Sequence, residues 1–108
     1  MNNLVYVCSP LRGDVKQNIE NAKMYSRTVT ELGYIPFTPH LYFSTFLDVE
    51  SVSDDELGIS MGQALLPLCG ELWVFGGIIS EGMRTEIALA DKLGIFINDM
   101  RIKKYLKD

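Results

Sequence analysis

A glutamate in the second half of the chain is the first candidate for chemistry. It lies in Ser80-Glu81-Gly82-Met83-Arg84-Thr85-Glu86-Ile87-Ala88-Leu89-Ala90, where a serine suited to cap a helix is followed by helical periodicity. At about 100° per residue, with Met83 at about 0°, Ile87, Ala90, Leu89 and Leu93 share one apolar arc, from about 240° round to about 40°. Arg84, Thr85, Asp91 and Lys92 fall between about 80° and about 200°, the solvent side, whereas Glu86 falls near about 300°, inside the apolar arc. Burial disfavours a charged carboxylate unless it is paired or faces a pocket. Two readings stay open: Glu86 sits at the helix edge and turns out to water or caps a backbone group, or it is the carboxylate of a site.

Two glycine-bearing loops run into helix starts and could hold an anion. In Ser9-Pro10-Leu11-Arg12-Gly13-Asp14, Arg12 and the free N–H groups of the following helix make a seat for negative charge. Arg12 as a solvated surface residue is the competing reading, and Asp14, as helix cap, brings a negative charge close to the seat. The pattern is neither a P-loop nor a dinucleotide fingerprint. In Gly76-Gly77-Ile78-Ile79-Ser80-Glu81-Gly82, the Ser80 hydroxyl can cap its helix or touch a phosphate. A third stretch, Thr38-Pro39-His40-Leu41-Tyr42-Phe43-Ser44-Thr45-Phe46, collects His40 and three aromatic rings without regular periodicity. These rings either pack over the end of a sheet or wall a pocket for a planar ligand. His40 is the only histidine, which excludes zinc sites built on several imidazoles. Cys8 and Cys69 show no metal or disulfide spacing, so reduced, buried thiols, no metal and no cofactor are expected.

The elements that must position these residues follow from apolar runs and their punctuation. Leu4-Val5-Tyr6-Val7-Cys8 reads as a buried strand. Asp14, with Gln17 in capping-box position, opens a helix whose inner face is Val15, Ile19, Ala22, Ser26 and Val29, and Gly33 ends it. Residues 34–37 form a short second strand, which Pro36 restricts to a sheet edge or to its own end. Residues 38–52 carry no regular signal. Ser53-Asp54-Asp55-Glu56 reads as a second capping box, starting a helix with the apolar face Leu57, Met61, Ala64, Leu65 and Leu68. Residues 72–75, with Trp73 in the core, form the third strand; Gly94 stops the Ser80 helix; residues 95–97 form the fourth strand. A short polar tail follows, a helical turn or a ragged end, carrying the basic cluster Arg101, Lys103, Lys104 and Lys107.

Strands alternating with helices imply right-handed crossovers and a parallel sheet. The fold class expected is α/β: a Rossmann-like, flavodoxin-like three-layer sandwich with a four- to five-stranded parallel sheet in the order 2-1-3-4, one domain over residues 1–108. Ligands of such sheets bind beyond the carboxyl ends of the strands, where the order reverses between strands one and three. That edge gathers both glycine loops, part of 38–52 and the helix bearing Glu86.

A net charge of −4, with no basic stripe interleaved with aromatics, argues against a nucleic-acid surface. No apolar run approaches the ~18–20 residues of a membrane span, and no signal-peptide pattern opens the chain, so a cytoplasmic protein is expected. Hydrophobic content of 47% and charged content of 22% are those of an ordinary globular domain.

Tyr6-Val7-Cys8-Ser9-Pro10-Leu11-Arg12-Gly13, together with Ser80-x-Gly82-x-x-x-Glu86, resembles the nucleoside 2-deoxyribosyltransferase superfamily. The nearest parallel is its 2′-deoxynucleoside 5′-phosphate N-hydrolase branch and the small phage and bacterial domains around it. The two motifs occur together, in order and at family spacing, and the resemblance covers residues 4–97. It implies that Glu86 attacks the anomeric carbon of a sugar and displaces the base, that Tyr6 orients this carboxylate, and that Arg12, Gly13, Ser80 and Gly82 cradle a 5′-phosphate. Ser9, His40, Gly76 and Met83 complete the ligand-contacting set expected at this edge. Where the hydrolase branch has an aspartate on the helix before strand three, this chain has Gly62; where an aspartate often precedes that strand, it has Gly70 followed by Glu71. The leading expectation is an enzyme that cleaves or transfers the N-glycosidic bond of a (deoxy)nucleotide. The missing aspartate favours a rival, a binding-only protein that sequesters a nucleotide or an ADP-ribose-type signal; a module that has kept only the fold is the third. A small-molecule nucleotide is the expected partner, and a homodimer or larger oligomer using the helix of residues 54–68 the expected assembly.

Overall fold

Four short apolar strands lie side by side, all parallel, in the computed structural model, which describes residues 2–103. The elements in chain order are β1 (Leu4–Cys8), α1 (Val15–Glu31), β2 (Ile35–Phe37), α2 (Pro39–Phe43), α3 (Val52–Leu65) running into a 3₁₀ turn (Leu66–Leu68), β3 (Glu71–Val74), α4 (Glu81–Lys92), β4 (Phe96–Asp99) and α5 (Met100–Lys103). The sheet order is β2-β1-β3-β4, and helices cover both faces, the α/β sandwich expected.

Side chains alternate across a strand, and β1 uses the alternation to feed two cores. Val5 and Val7 point to one face, where Val29 of α1, Trp73, Phe75 and the α5 residue Met100 pack. Tyr6 and Cys8 point to the other, with Leu66, Leu72, Met83 and Ala90. β2 is an edge strand, so the missing N–H of Pro36 costs the sheet no inner ladder bond. Asp14 caps α1 by accepting the Gln17 N–H at 3.2 Å, but the Gln17 side chain bonds Asn21 instead, so the reciprocal half of the capping box does not form. Gly33 and Gly94 take φ of +91° and +73° just past the ends of α1 and α4, left-handed positions suited to glycine.

Several stretches differ from the expectation. Residues 38–52 contain a helical turn, α2, because Pro39 occupies the first helical position with its φ already set. Helix α3 starts two residues early: Ser51, not Ser53, accepts the Asp54 N–H. Its apolar stripe is also turned outward, with Leu57, Ala64, Leu65 and Leu68 exposed and Met61 half-buried. The inner face is Asp55, Gly58, Ile59, Gly62 and Leu66. Glycines let the α3 backbone approach α2 and β1 more closely than leucines would: a Cβ on Gly58 would lie 3.5 Å from Leu47 Cδ1, and one on Gly62 2.8 Å from Tyr6 Oη. β3 begins and ends one residue earlier than expected, and β4 begins one residue later and extends to Asp99. Of the basic tail, Arg101 is held by Asp99 through two side-chain bonds, whereas Lys104 and Lys107 lie outside the described residues. Among the described residues no helix is long and apolar enough to cross a membrane.

The two α3 glycines should respond oppositely to alanine. At Gly58 an added Cβ makes an ordinary contact, so Gly58→Ala should stabilise by up to ~1 kcal/mol through helix propensity. At Gly62 it meets a hydroxyl whose side chain is fully buried and cannot swing away, so Gly62→Ala should cost about 1–2 kcal/mol net. Thermal melts of the two variants check this; equal melting temperatures would place the Tyr6 hydroxyl elsewhere.

Candidate functional site

Glu86 is the deepest charged group among the described residues, 5% exposed. Two elements put it there. Ser80 caps α4 by accepting the Met83 N–H at 3.3 Å, which fixes where the helix begins and so which residues face the sheet. Beneath it, β1 presents Tyr6 and Cys8, two residues apart and therefore on the same face. The Tyr6 hydroxyl donates to Glu86 Oε2, and the Cys8 thiol donates to Oε1 at 3.4 Å. Each carboxylate oxygen thus has its own donor from one strand.

The electrostatics follow from burial. Desolvation raises the Glu86 pKa above the ordinary value of 4.5, and the bonds from Tyr6 and Cys8 oppose the rise. Burial, then the charge of Glu86, pushes the Tyr6 phenol and the Cys8 thiol far above their usual values, so both keep their protons and act as donors. Cys8 and Cys69 are both free and buried. His40, on α2, has its pKa lowered chiefly by desolvation; the neutral ring donates from Nε2 to the Ser9 carbonyl at 2.7 Å.

Above Glu86 lies a cavity of about 210 Å³ at the carboxyl ends of β1 and β3. Ser9, Arg12, His40, Ser80, Gly82 and Met83 line it, with Glu86 in its wall. A narrower apolar recess of about 30 Å³ adjoins it under Phe43 and Leu47, sharing His40 and Glu86. The Ser9 Oγ is buried and has no hydrogen-bond partner among the described residues. The N–H groups of Glu81 and Gly82, in the first turn of α4, have no intrahelical acceptor. Arg12 is half exposed and sits with Nε 3.4 Å from Asp55 Oδ2. Its loop is tied down by Asn18, whose amide donates to the carbonyls of Leu11 and Arg12.

Three expected residues lie outside the lining. Tyr6 is beneath the cavity and reaches it only through Glu86. Gly13 is exposed, with φ of +100°, where it turns the loop toward α1. Gly76 has φ of +105° and lets the β3 loop close on Pro10, whose Cδ would be 2.8 Å from a Cβ there. The lining also holds Leu11, Asp55, Ile59 and Glu81, which were not expected from sequence, and Cys8 joins Tyr6 beneath Glu86. Asp55 lines both cavity lobes, seven residues before Gly62 on the same face of α3. Reading that face from its glycines instead of its leucines turns Asp55 inward. Cys8 was read only as a reduced, buried thiol, although its i+2 relation to Tyr6 was visible.

A family model described as a domain of unknown function (DUF7768) matches residues 3–100. No curated protein matches the sequence. Among solved structures, the fold is similar to a 2-deoxyribosyltransferase from the psychrotolerant bacterium Bacillus psychrosaccharolyticus, with a TM-score of 0.66 at 14% identity over 87% of this chain and 69% of that one.

The raised Glu86 pKa makes stability depend on pH. Between 4.5 and the raised value the folded chain holds a proton that the unfolded chain has released, so stability falls as pH rises through that window. Glu86→Gln keeps an acceptor for Tyr6 and carries no charge. It should therefore gain about 1 kcal/mol over wild type at about pH 7.5 and little at about pH 5. Melts at the two pH values check it; a variant less stable than wild type at the higher pH would mean that the buried charge is compensated.

Proposed function

The chain belongs to the family described as domain of unknown function DUF7768, and on that footing we propose that it binds a (deoxy)nucleotide and cleaves or transfers its N-glycosidic bond, with Glu86 as nucleophile. One observation carries the reading: a buried carboxylate, clamped by two protonated donors, in the wall of a cavity at the switch point of the sheet. The similarity in fold to a 2-deoxyribosyltransferase supports it.

In this reading a Glu86 oxygen attacks C1′ of the pentose. The C1′–N bond breaks, its electron pair leaves with the base, and the base takes up a proton from water, balanced by the proton that the second nucleophile gives up in the next step. Water, or a second base, then displaces the carboxylate from C1′. Attack on an oxocarbenium-like centre needs an ionised carboxylate in a fixed orientation. Tyr6 and Cys8 supply that orientation from a rigid, buried strand. The N–H groups opening α4 and the Arg12 guanidinium receive the 5′-phosphate.

A binding-only role is the second reading, and Gly62 favours it. The hydrolase branch has an aspartate at this position, whereas here the helix lies so close to Tyr6 that any side chain would displace the hydroxyl. For assembly, we propose a homodimer or larger oligomer through the outward face of α3, where Leu57, Leu65 and Leu68 are exposed at 47%, 37% and 63%.

Two measurements test these proposals. Chromatography of a nucleotide incubated with the protein should show release of free base by wild type. Glu86→Gln should slow that release by about 10³-fold or more, with affinity changed by less than ~2 kcal/mol. A wild type that binds nucleotide and never releases base establishes the binding-only role. Light scattering should give at least twice the 12.2 kDa chain mass, falling toward one chain when Leu57 and Leu68 are both changed to aspartate. A wild-type monomer at tens of micromolar would overturn the assembly.

A further inference from the structure

Three carboxylates line the cavity: Glu86 is clamped from β1, Glu81 is exposed at the start of α4, and Asp55 has no assigned work. Asp55 is on the first turns of α3, its side chain only a tenth exposed, and it lines both lobes together with Glu86. Its one ion pair among the described residues is with Arg12, at 3.4 Å from a single oxygen, beyond the ~2.7–3.2 Å of an N–H···O hydrogen bond. Among the described residues no donor is hydrogen-bonded to the Asp55 carboxylate. Neighbouring Asp54 differs: its oxygen accepts the Asp48 N–H at 2.8 Å and holds the loop before α3. A carboxylate is acceptor-only, and one so nearly enclosed calls for donors. Asp55 lines the cavity, as does Ser9, whose Oγ has no hydrogen-bond partner among the described residues.

We infer that Asp55 is a ligand-contacting, specificity-determining residue whose carboxylate accepts a hydrogen bond from a pentose hydroxyl. The inference rests on the nucleotide reading above. A sugar whose C1′ faces Glu86 occupies the space between the two carboxylates, and its hydroxyls are then the nearest donors to Asp55. Arg12 has a second part in this arrangement. It lies against Asp55 and offsets a negative charge that would otherwise repel both Glu86 and an anionic ligand.

The test measures binding alone, in the Glu86→Gln background, so turnover does not enter. Titration calorimetry compares a 2′-deoxynucleoside 5′-monophosphate with its 2′,3′-dideoxy counterpart. The hydroxyl-bearing ligand should bind about tenfold or more tightly, the scale of a charge-assisted hydrogen bond. Adding Asp55→Ala should bring the two affinities to within about twofold. Asp55→Asn, which preserves shape if the alanine variant folds poorly, should lose most of the ratio. Adding Arg12→Ala instead should weaken both ligands and keep the ratio, which separates contact with the ligand from support of Arg12. Equal affinities for the two ligands, or a ratio that survives Asp55→Ala, would overturn the assignment and leave the nucleotide reading standing. No binding of either ligand would overturn both.

Discussion

Holding one carboxylate under an apolar helix face is the constraint on which the rest of this structure depends. Glu86 lies where α4 packs on the sheet, and burial works against its charge. It is tolerated because β1 answers each oxygen with a donor. Those donors need residues i and i+2 on a strand buried on both faces, which puts β1 at the centre of the sheet. The Tyr6 hydroxyl needs room above β1, and Gly62 gives it by bringing a helix backbone where a side chain would otherwise stand. Tyr6, Cys8, Gly62 and Glu86 thus form one packing unit drawn from three elements.

The outward turn of α3 follows from the same constraint. The helix carries more apolar volume on its exposed side than on its buried side, against the ordinary rule for amphipathic helices. Close approach to α2 and β1 is available only to its glycine face, so the leucines are left in solvent. That rotation also carries Asp55 to the cavity wall. A single geometric choice therefore determines which acid faces the cavity and which apolar surface is left exposed.

Much of the architecture was legible from apolar runs and caps: the parallel sheet, its order, both glycine loops and the anomalous position of Glu86. These signals are local, and local physics decides them. What escaped depends on contacts between elements. The facing of α3 is set by what Tyr6 and Pro39 leave room for, which periodicity within α3 cannot reveal. Helix α2 was hidden because aromatic residues obscured a Thr38-Pro39 start. Gly13 and Gly76, chosen for chemistry, turn out to serve the path of the backbone. Ser9, Arg12, His40, Ser80, Gly82, Met83 and Glu86 do share one cavity, because the loops at the carboxyl edge of a parallel sheet have nowhere else to meet.

The Cys8 thiol, enclosed and bonded to Glu86, has a consequence for how the molecule breathes. An alkylating reagent in solution cannot reach it while α4 lies on β1, and a thiol held in its protonated form is a poor nucleophile. Its labelling is therefore gated by separation of helix from strand. The native chain thus carries a chemical clock beside its buried carboxylate, whose alkylation rate reports local opening without an engineered label.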